Sequence, residues 1–257
     1  MGDEMISLQH VWAGYGDQTV LEDITLSVRE GDFIGIIGPN GGGKTTLLKV
    51  LLGLITPRRG TVRVMGQSVE KGRRYIGYVP QLVESDRDFP ICVRDVVRMG
   101  RLSSRGLLKN YQHEDDVAVI NALQSVDMLD LQNKPFGELS GGQRQRGFIA
   151  RALVGNPRVL LLDEPTASVD SRVSANVYEL LYHLNERVTI VMVSHDLSAI
   201  SAYVKSVGCL NRRLFYHGDK NVTPDMLEAS YHCPVDLIAH GVPHRVFAEH
   251  QMQEVSE

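Results

Sequence analysis

The chain has 257 residues, a formal net charge of −4 and a pI of about 6.1. That length can bury the core of one large α/β domain, and a mildly acidic chain without a basic block is not expected to bind nucleic acid or anionic lipid. Three widely separated cysteines without a C-x-x-C pair predict neither a disulfide framework nor a zinc knuckle, and they favour a reduced cytoplasm.

The apolar runs of the chain are too short to cross a membrane. The longest, such as 159–162 and 188–193, have the length of strands, whereas a spanning helix needs ~20 residues. Residues 1–6 contain neither a basic region nor an apolar run, so no signal peptide is expected. Any role at a membrane should therefore depend on a partner protein.

The N-terminal part of the chain predicts a small antiparallel sheet. Residues 5–11 and 18–28 favour extended structure, and Gly14 and Gly16 interrupt them on either side of Tyr15. We therefore expect two strands joined by a turn that carries a tyrosine.

A phosphate-binding loop lies between a predicted buried strand at 33–37 and a predicted helix at 45–54. Its sequence matches G-x-x-x-x-G-K-[ST] at every fixed position. Glycines are needed there because backbone N–H groups must curl around phosphate oxygens. Lys44 can supply positive charge to the β and γ phosphates, and Thr45 a hydroxyl ligand for Mg²⁺. The predicted nucleotide-binding residues of this loop are Gly38, Pro39, Asn40, Gly41, Gly42, Gly43, Lys44, Thr45 and Thr46.

The central part of the chain alternates strands with helices. Residues 75–79 predict a strand, and about 91–135 predict a helical region. Apolar strands at 159–162 and 189–193 flank an amphipathic helix at 172–184. Buried strands separated by helices indicate an α/β fold with a mostly parallel sheet covered on both faces.

Polar residues follow three of these strands, at the sheet edge where open α/β sheets bind ligands. Asp163 and Glu164 end the strand at 159–162; one carboxylate can hold Mg²⁺ while its neighbour accepts a proton from water. Taken alone, such a pair could equally be a solvated turn, and Gln81 and His195, after two other strands, could be structural. Their shared sheet edge favours a catalytic site.

The pentapeptide that begins at Leu139 precedes a predicted helix at 144–153. A helix N-terminus directs backbone N–H groups at an anion. The alternative interpretation is an ordinary serine cap with glycines in the preceding turn. The predicted phosphate-contacting residues of this segment are Ser140, Gly141, Gly142 and Gln143.

Together these motifs resemble the ATP-binding subunit of an ATP-binding-cassette (ABC) transporter over nearly all of residues 5–218. The resemblance implies a P-loop NTPase core with a mostly parallel sheet and an N-terminal antiparallel β subdomain. It also implies an α-helical subdomain inserted at about 82–155 and a C-terminal tail at 219–257.

The resemblance implies catalytic roles within this fold, with ATP and Mg²⁺ as cofactors. Glu164 would be the general base and His195 would contact the γ-phosphate. Gln81 would sense Mg²⁺ and the attacking water, and Asp163 would bind Mg²⁺ through water. With Thr45, the implied metal-binding set is Thr45, Gln81 and Asp163.

Other implied roles concern the base and a second subunit. Tyr15 would stack on adenine, although a surface turn tyrosine is the alternative. Asp170 resembles the loop that crosses the dimer interface, with Val169 where the family more often has leucine. The segment around Ser140 would face the γ-phosphate of ATP held by another subunit. One chain carries one phosphate-binding loop and one segment of the Ser140 type. Two complete nucleotide sites therefore require a homodimer in which the chains pack head to tail.

The tail is similar to that of ATPases serving zinc, manganese or iron importers. This resemblance implies a divalent metal as cargo, integral membrane permease subunits as partners, and a peripheral position on the cytoplasmic face of the membrane. An extracellular or periplasmic metal-binding protein would be an indirect partner. Four polar residues of the tail are spaced by four, but prolines and a glycine argue against one continuous helix. A regulatory metal site and a packed, hydrogen-bonded tail both stay open for His232, Asp236, His240 and His244.

Three alternatives remain from the sequence. The cargo could be something other than a metal, or the chain could be a regulatory nucleotide-binding module. It could also be a soluble ABC ATPase acting on nucleic acid or ribosomes, but the stretch between Gln81 and Leu139 has no sustained heptads. The part that contains Phe89, Pro90 and Val93 resembles the region that the family docks against a cytoplasmic helix of the membrane subunit.

Overall fold

The computed structural model describes residues 2–81, 89–102, 110–167, 171–195 and 202–216, together with the backbone of 235–240 and 242–247. In chain order, the strands are β1 (Glu4–Tyr15), β2 (Gln18–Arg29), β3 (Phe33–Ile37), β4 (Arg59–Val64), β5 (Gln67–Ser68), β6 (Ile76–Val79), β7 (Val159–Asp163), β8 (Thr189–Ser194), β9 (Ser206–Asn211), β10 (Arg213–Tyr216), β11 (Val235–His240) and β12 (Val242–Phe247). The α-helices are α1 (Lys44–Leu51), α2 (Val69–Gly72), α3 (Val93–Met99), α4 (His113–Gln124), α5 (Gly141–Leu153) and α6 (Ser171–Leu184), and short 3-10 helices cover Arg73–Tyr75, Leu129–Leu131 and Phe136–Glu138.

The N-terminal sheet is antiparallel, as predicted, with the strand order β2-β1-β4-β5. Strand β1 is longer than expected because it continues through Gly14 to Tyr15, which pairs with Gln18. A Cβ at Gly14 would lie 2.0 Å from the carbonyl oxygen of Gln18, so this glycine allows the two strands to approach closely. The hairpin turn itself is only two residues long and begins at Gly16, with φ +46°.

The second sheet has the order β10-β9-β3-β8-β7-β6 and is parallel except for the β9–β10 pair, which confirms the predicted mostly parallel sheet. Every residue of β3, β7 and β8 is buried. Successive residues of a strand point to opposite faces, and two hydrophobic clusters accordingly cover the sheet. Leu160 and Leu162 belong to the cluster that includes residues of α5 and α6, whereas Leu161 belongs to the cluster shared with α1 and the antiparallel sheet.

Two α-helices, α3 and α4, lie in the predicted helical region at about 91–135. Ion pairs join them: Arg101 Nε lies 2.8 Å from Oδ1 of the fully buried Asp115, and Arg94 and Arg98 both contact Asp116. Among the described residues, no helix is both long and apolar enough to cross a bilayer.

The described part of the tail is a hairpin of β11 and β12, with antiparallel register from Val235↔Phe247 to His240↔Val242. The backbone at Asp236, His240 and His244 is therefore extended. These residues do not share one face of a helix, in agreement with the expectation from the prolines and the glycine. His232 lies outside the described residues.

Candidate nucleotide-binding site

The phosphate-binding loop joins the end of β3 to the start of α1, in the strand–loop–helix order that was predicted. Gly41 and Gly43 have φ angles of +79° and +101°, in the region that favours glycine. Gly38 is restricted by packing instead, because a Cβ there would lie 1.9 Å from the carbonyl oxygen of Leu210. The loop therefore rests directly on the end of β9.

Lys44 is buried and its ammonium group points back into the loop. Nζ donates hydrogen bonds to the carbonyl oxygens of Gly38 at 2.9 Å and Pro39 at 3.1 Å. It also lies 3.7 Å from Oε1 of Glu164. The cation is thus held at the mouth of the loop, where it can meet phosphate oxygens.

A possible Mg²⁺ site connects the loop to the end of β7. The hydroxyl of Thr45 donates to Oδ1 of Asp163 at 3.3 Å, and the hydroxyl of Tyr78 donates to Oδ2 at 3.4 Å. Burial raises the pKa of Asp163, and the hydrogen bond from Thr45 opposes that shift. A hydroxyl and a carboxylate are the oxygen ligands that Mg²⁺ prefers, so these residues fit the ion.

Besides Lys44, two of the predicted residues contact the carboxylate of Glu164. Gln81 Nε2 donates to Oε2 at 3.3 Å, and His195 Nδ1 lies 3.2 Å from the same oxygen. Glu164 has φ +45°, and its N–H donates to the carbonyl oxygen of Val193 at 3.0 Å. A hydrogen bond to β8 therefore helps to hold this residue in an uncommon backbone conformation next to the loop.

These groups surround one cavity of about 610 Å³. Most of the predicted loop residues line it, together with Gln81, Glu164 and His195, whereas Asp163 is not among the lining residues. The lining residues are Gly38, Pro39, Asn40, Gly41, Gly43, Lys44, Thr45, Thr46, Gln81, Glu164 and His195. Gly42 is not among them; its carbonyl oxygen accepts a hydrogen bond from the N–H of Arg212.

Tyr15 stands at the hairpin turn and is 47% exposed. Its hydroxyl accepts a hydrogen bond from Lys49 Nζ at 3.3 Å, and Nζ lies 5.6 Å from the ring centroid. Tyr15 does not belong to the lining of the described cavity. The ring is nevertheless tied to α1, the helix that begins at the phosphate-binding loop.

The segment at Ser140 also lies apart from the lining of this cavity. Helix α5 begins at Gly141, not at 144, because Ser140 is its N-cap. Ser140 Oγ accepts from the Gln143 N–H at 3.3 Å, and Gln143 Oε1 accepts from the Ser140 N–H at 3.0 Å. The serine cap considered as an alternative is thus present, with the glycines inside the first turn. Asp170 lies outside the described residues.

An apolar groove of about 310 Å³ lies in the helical region. Phe89 is 60% exposed and lines this groove with Phe136 and Phe148. Val93, which belongs to the region expected to dock against a membrane subunit, is fully buried in the core and packs inward on the first turn of α3. Docking by this region stays a prediction, and Phe89 is the residue of it that offers an exposed apolar side chain.

The sequence reasoning missed Tyr78 and Lys49. The signal for Tyr78 was its position near the end of the strand that precedes Gln81, where an aromatic ring with a polar tip can reach the sheet edge. No local sequence pattern indicated a role for Lys49, because its hydrogen bond to Tyr15 joins two different elements of the fold.

Comparison with known proteins reveals close relatives. The sequence profile of the family described as ABC transporter matches residues 21–167. The chain is 40% identical over 211 residues to the high-affinity zinc uptake system ATP-binding protein ZnuC of Bacillus subtilis, covering 81% of this chain and 91% of the relative. It is 37% identical over 229 residues to the manganese transport system ATP-binding protein MntB of Listeria innocua, covering 88% and 95%.

A solved structure supports the same relationship. A metal-chelate type ABC transporter in an inward-facing conformation superposes with a TM-score of 0.82 and 29% sequence identity. The match covers 96% of this chain and 98% of that chain. The described fold is therefore similar to nearly the whole of that chain.

Proposed function

Because this chain belongs to the ABC transporter family, as one of its ATP-binding and ATP-hydrolysing subunits, we propose that it energises the import of a divalent metal ion, zinc, manganese or iron, through a membrane permease. The names of the zinc and manganese relatives support this cargo. The resemblance of the tail to those of metal importers points the same way. The subunit itself would sit on the cytoplasmic face of the membrane.

The observation that carries the proposed mechanism is the convergence of Lys44, Gln81 and His195 on the carboxylate of Glu164. In this mechanism, Glu164 accepts a proton from the attacking water, and Gln81 orients that water. General-base catalysis of this kind contributes about 10²- to 10⁴-fold to the rate.

The remaining groups of the site neutralise charge and hold the nucleotide. Lys44 and His195 face the γ-phosphate, and Tyr15 stacks on the base. Thr45 and Asp163 would hold Mg²⁺, which when bound would offset phosphate charge. Phosphoryl transfer depends on such positioning and electrostatic stabilisation more than on covalent chemistry.

The proposed active form is a head-to-tail homodimer. The segment at Ser140 does not line the cavity of its own chain. Its capping box uses the N–H groups of Ser140 and Gln143, whereas those of Gly141 and Gly142, in the first turn of α5, have no acceptor within the helix and can meet a nucleotide on another subunit. The exposed groove around Phe89 and Phe148 offers the permease an apolar contact. A metal-binding protein outside the membrane would deliver the cargo to the permease without touching this chain.

Metal uptake in the native cell tests the cargo. Deleting the gene should abolish high-affinity uptake of radioactive zinc, manganese or iron, and the wild-type gene should restore it. The variant Glu164→Gln should not restore uptake, and the purified variant should bind ATP while its turnover falls about 10²- to 10⁴-fold. Unchanged uptake of all three metals would contradict the proposed cargo. Recovery of the chain with ribosomes instead of an integral membrane protein would support the soluble alternative.

A further inference from the structure

The side chain of Arg58 holds the tip of the β1–β2 hairpin, by which we mean residues 16–19. Both terminal nitrogens of its guanidinium group donate hydrogen bonds to oxygens of the tip. Nη1 reaches the carbonyl oxygen of Asp17 at 3.3 Å and the hydroxyl of Thr19 at 3.0 Å. Nη2 reaches the carbonyl oxygen of Gln18 at 3.2 Å and also contacts that of Gly16. One side chain therefore gathers acceptors from four consecutive residues.

Arg58 is itself anchored to the same hairpin. Its backbone N–H donates to the carbonyl oxygen of Trp12 in β1 at 2.7 Å. The residue lies in the segment between α1 and β4, and it is exposed. Its side chain is therefore not needed to fill the core, and the hydrogen bonds that it makes to described residues go to the hairpin tip.

The geometry of these contacts requires arginine. Guanidinium is a planar group with donors in a fixed fork, whereas lysine offers one compact ammonium. The guanidinium group can donate hydrogen bonds at the same time to several carbonyl oxygens that point in different directions around a tight turn. A lysine at 58 would keep the positive charge but could not hold all four acceptors in one arrangement.

The contacts of Arg58 restrict the position of the neighbouring residue Tyr15. It immediately precedes Gly16, the first residue of the tip, and its hydroxyl is bonded to Lys49. Ordering a mobile group when a ligand binds reduces the affinity, and fixing the group beforehand avoids that cost. A hairpin tip fixed by Arg58 presents the tyrosine ring in one orientation before the nucleotide arrives.

We propose that Arg58 is a positioning residue for the nucleotide base, which it never touches: it holds the hairpin tip so that the ring of Tyr15 is already placed to stack. The inference rests on the proposed function, because stacking by Tyr15 is part of that function. A positive charge near the nucleotide could instead attract the phosphates directly, and the two roles have different consequences.

The test compares Mg-ATP with Mg-tripolyphosphate, a ligand that has the phosphates but no base, by calorimetric titration of the purified chain. Arg58→Ala should weaken ATP binding about 3- to 10-fold and leave tripolyphosphate binding unchanged. Arg58→Lys should weaken ATP binding to a similar degree, because it lacks the fork. The matched control Arg59→Ala removes the same charge one residue along the chain, and it should bind both ligands like the wild type.

A double-mutant cycle links the effect to the tyrosine. Tyr15→Ala should weaken ATP binding about 5- to 100-fold, the range for losing one aromatic–base stack. Adding Arg58→Ala to Tyr15→Ala should then cause no further loss. Equal losses for ATP and tripolyphosphate, full affinity in Arg58→Lys, or additive effects in the double variant would overturn the inference. If Tyr15→Ala itself binds ATP like the wild type, the base-stacking part of the proposed function fails as well.

Discussion

The hydroxyl of Tyr78 donates a hydrogen bond to one of the two carboxylate oxygens of Asp163. Burial and the charge of Asp163 raise the pKa of Tyr78 to about 12, so the hydroxyl stays protonated and donates at neutral pH. That hydrogen bond lowers the pKa of Asp163, against the larger effect of burial, which raises it. Tyr78 therefore favours the ionised carboxylate that Mg²⁺ needs.

Tyr78→Phe should accordingly weaken Mg²⁺-dependent nucleotide binding. Without the donor, the pKa of Asp163 rises further, and a larger fraction of the carboxyl is protonated at a given pH. The Mg²⁺ concentration for half-maximal binding of a fluorescent ATP analogue should increase about 3- to 10-fold at acidic pH, where protons compete for the carboxylate. Because the competitor is a proton, the defect should shrink as the pH is raised. A defect that is the same at every pH would contradict this explanation.

At the scale of elements, the phosphate-binding loop is supported by the turn between β9 and β10. The N–H of Arg212 donates to the carbonyl oxygen of Gly42 at 3.0 Å, and the N–H of Glu22 in β2 donates to the carbonyl oxygen of Arg212 at 2.7 Å. Arg212 makes both bonds with φ +60°. Its side chain also pairs with Glu22. The turn thus joins the loop to the N-terminal sheet.

Two substitutions at Arg212 distinguish the effect of its backbone conformation on stability from the effect of its side-chain contacts. Arg212→Gly keeps the left-handed conformation without strain, but it loses the half-buried ion pair with Glu22 and the hydrogen bond from Nη2 to the carbonyl oxygen of Thr19 at 3.3 Å. Arg212→Val loses the same pair but strains the backbone by about 1–2 kcal/mol more. The melting temperature of Arg212→Val should therefore be about 2–8 °C below that of Arg212→Gly, with weaker ATP binding. Equal melting temperatures in differential scanning calorimetry would show that the left-handed conformation at residue 212 does not contribute to the stability of the chain.

The elements were largely predictable because hydrophobic periodicity is local. Strands β7 and β8 and helix α6 differ from their predicted bounds by one residue at one end. The grouping of Gln81, Glu164 and His195 followed from the rule that strand ends share a sheet edge. The bond between Tyr78 and Asp163 joins residues 85 apart, and the Arg58 contacts span about 40 residues. Such contacts depend on the three-dimensional approach of two elements, which no local pattern encodes.

In the proposed dimer, the two halves of each nucleotide site come from different chains. The cavity provides groups for the phosphates and for water, while the N-terminus of α5 lies outside its lining. In the isolated chain, Ser140 and Gln143 satisfy each other in a capping box. A partner's nucleotide can approach this helix N-terminus only if the two chains face each other head to tail.

Ser140→Arg should therefore block ATP-driven dimerisation while the chain's own loop still binds ATP. The long cationic side chain would occupy the space that the partner's nucleotide needs, whereas residues 38–46 are untouched. Sedimentation in the Glu164→Gln background, with and without Mg-ATP, measures the dimer. Ser140→Ala is the matched control: it loses the same cap, at about 1 kcal/mol, without filling the interface. We expect ATP-dependent dimers in Ser140→Ala and only monomers in Ser140→Arg, with ATP affinity per chain similar in both. Dimerisation of Ser140→Arg at the level of the control would place this helix N-terminus away from the interface.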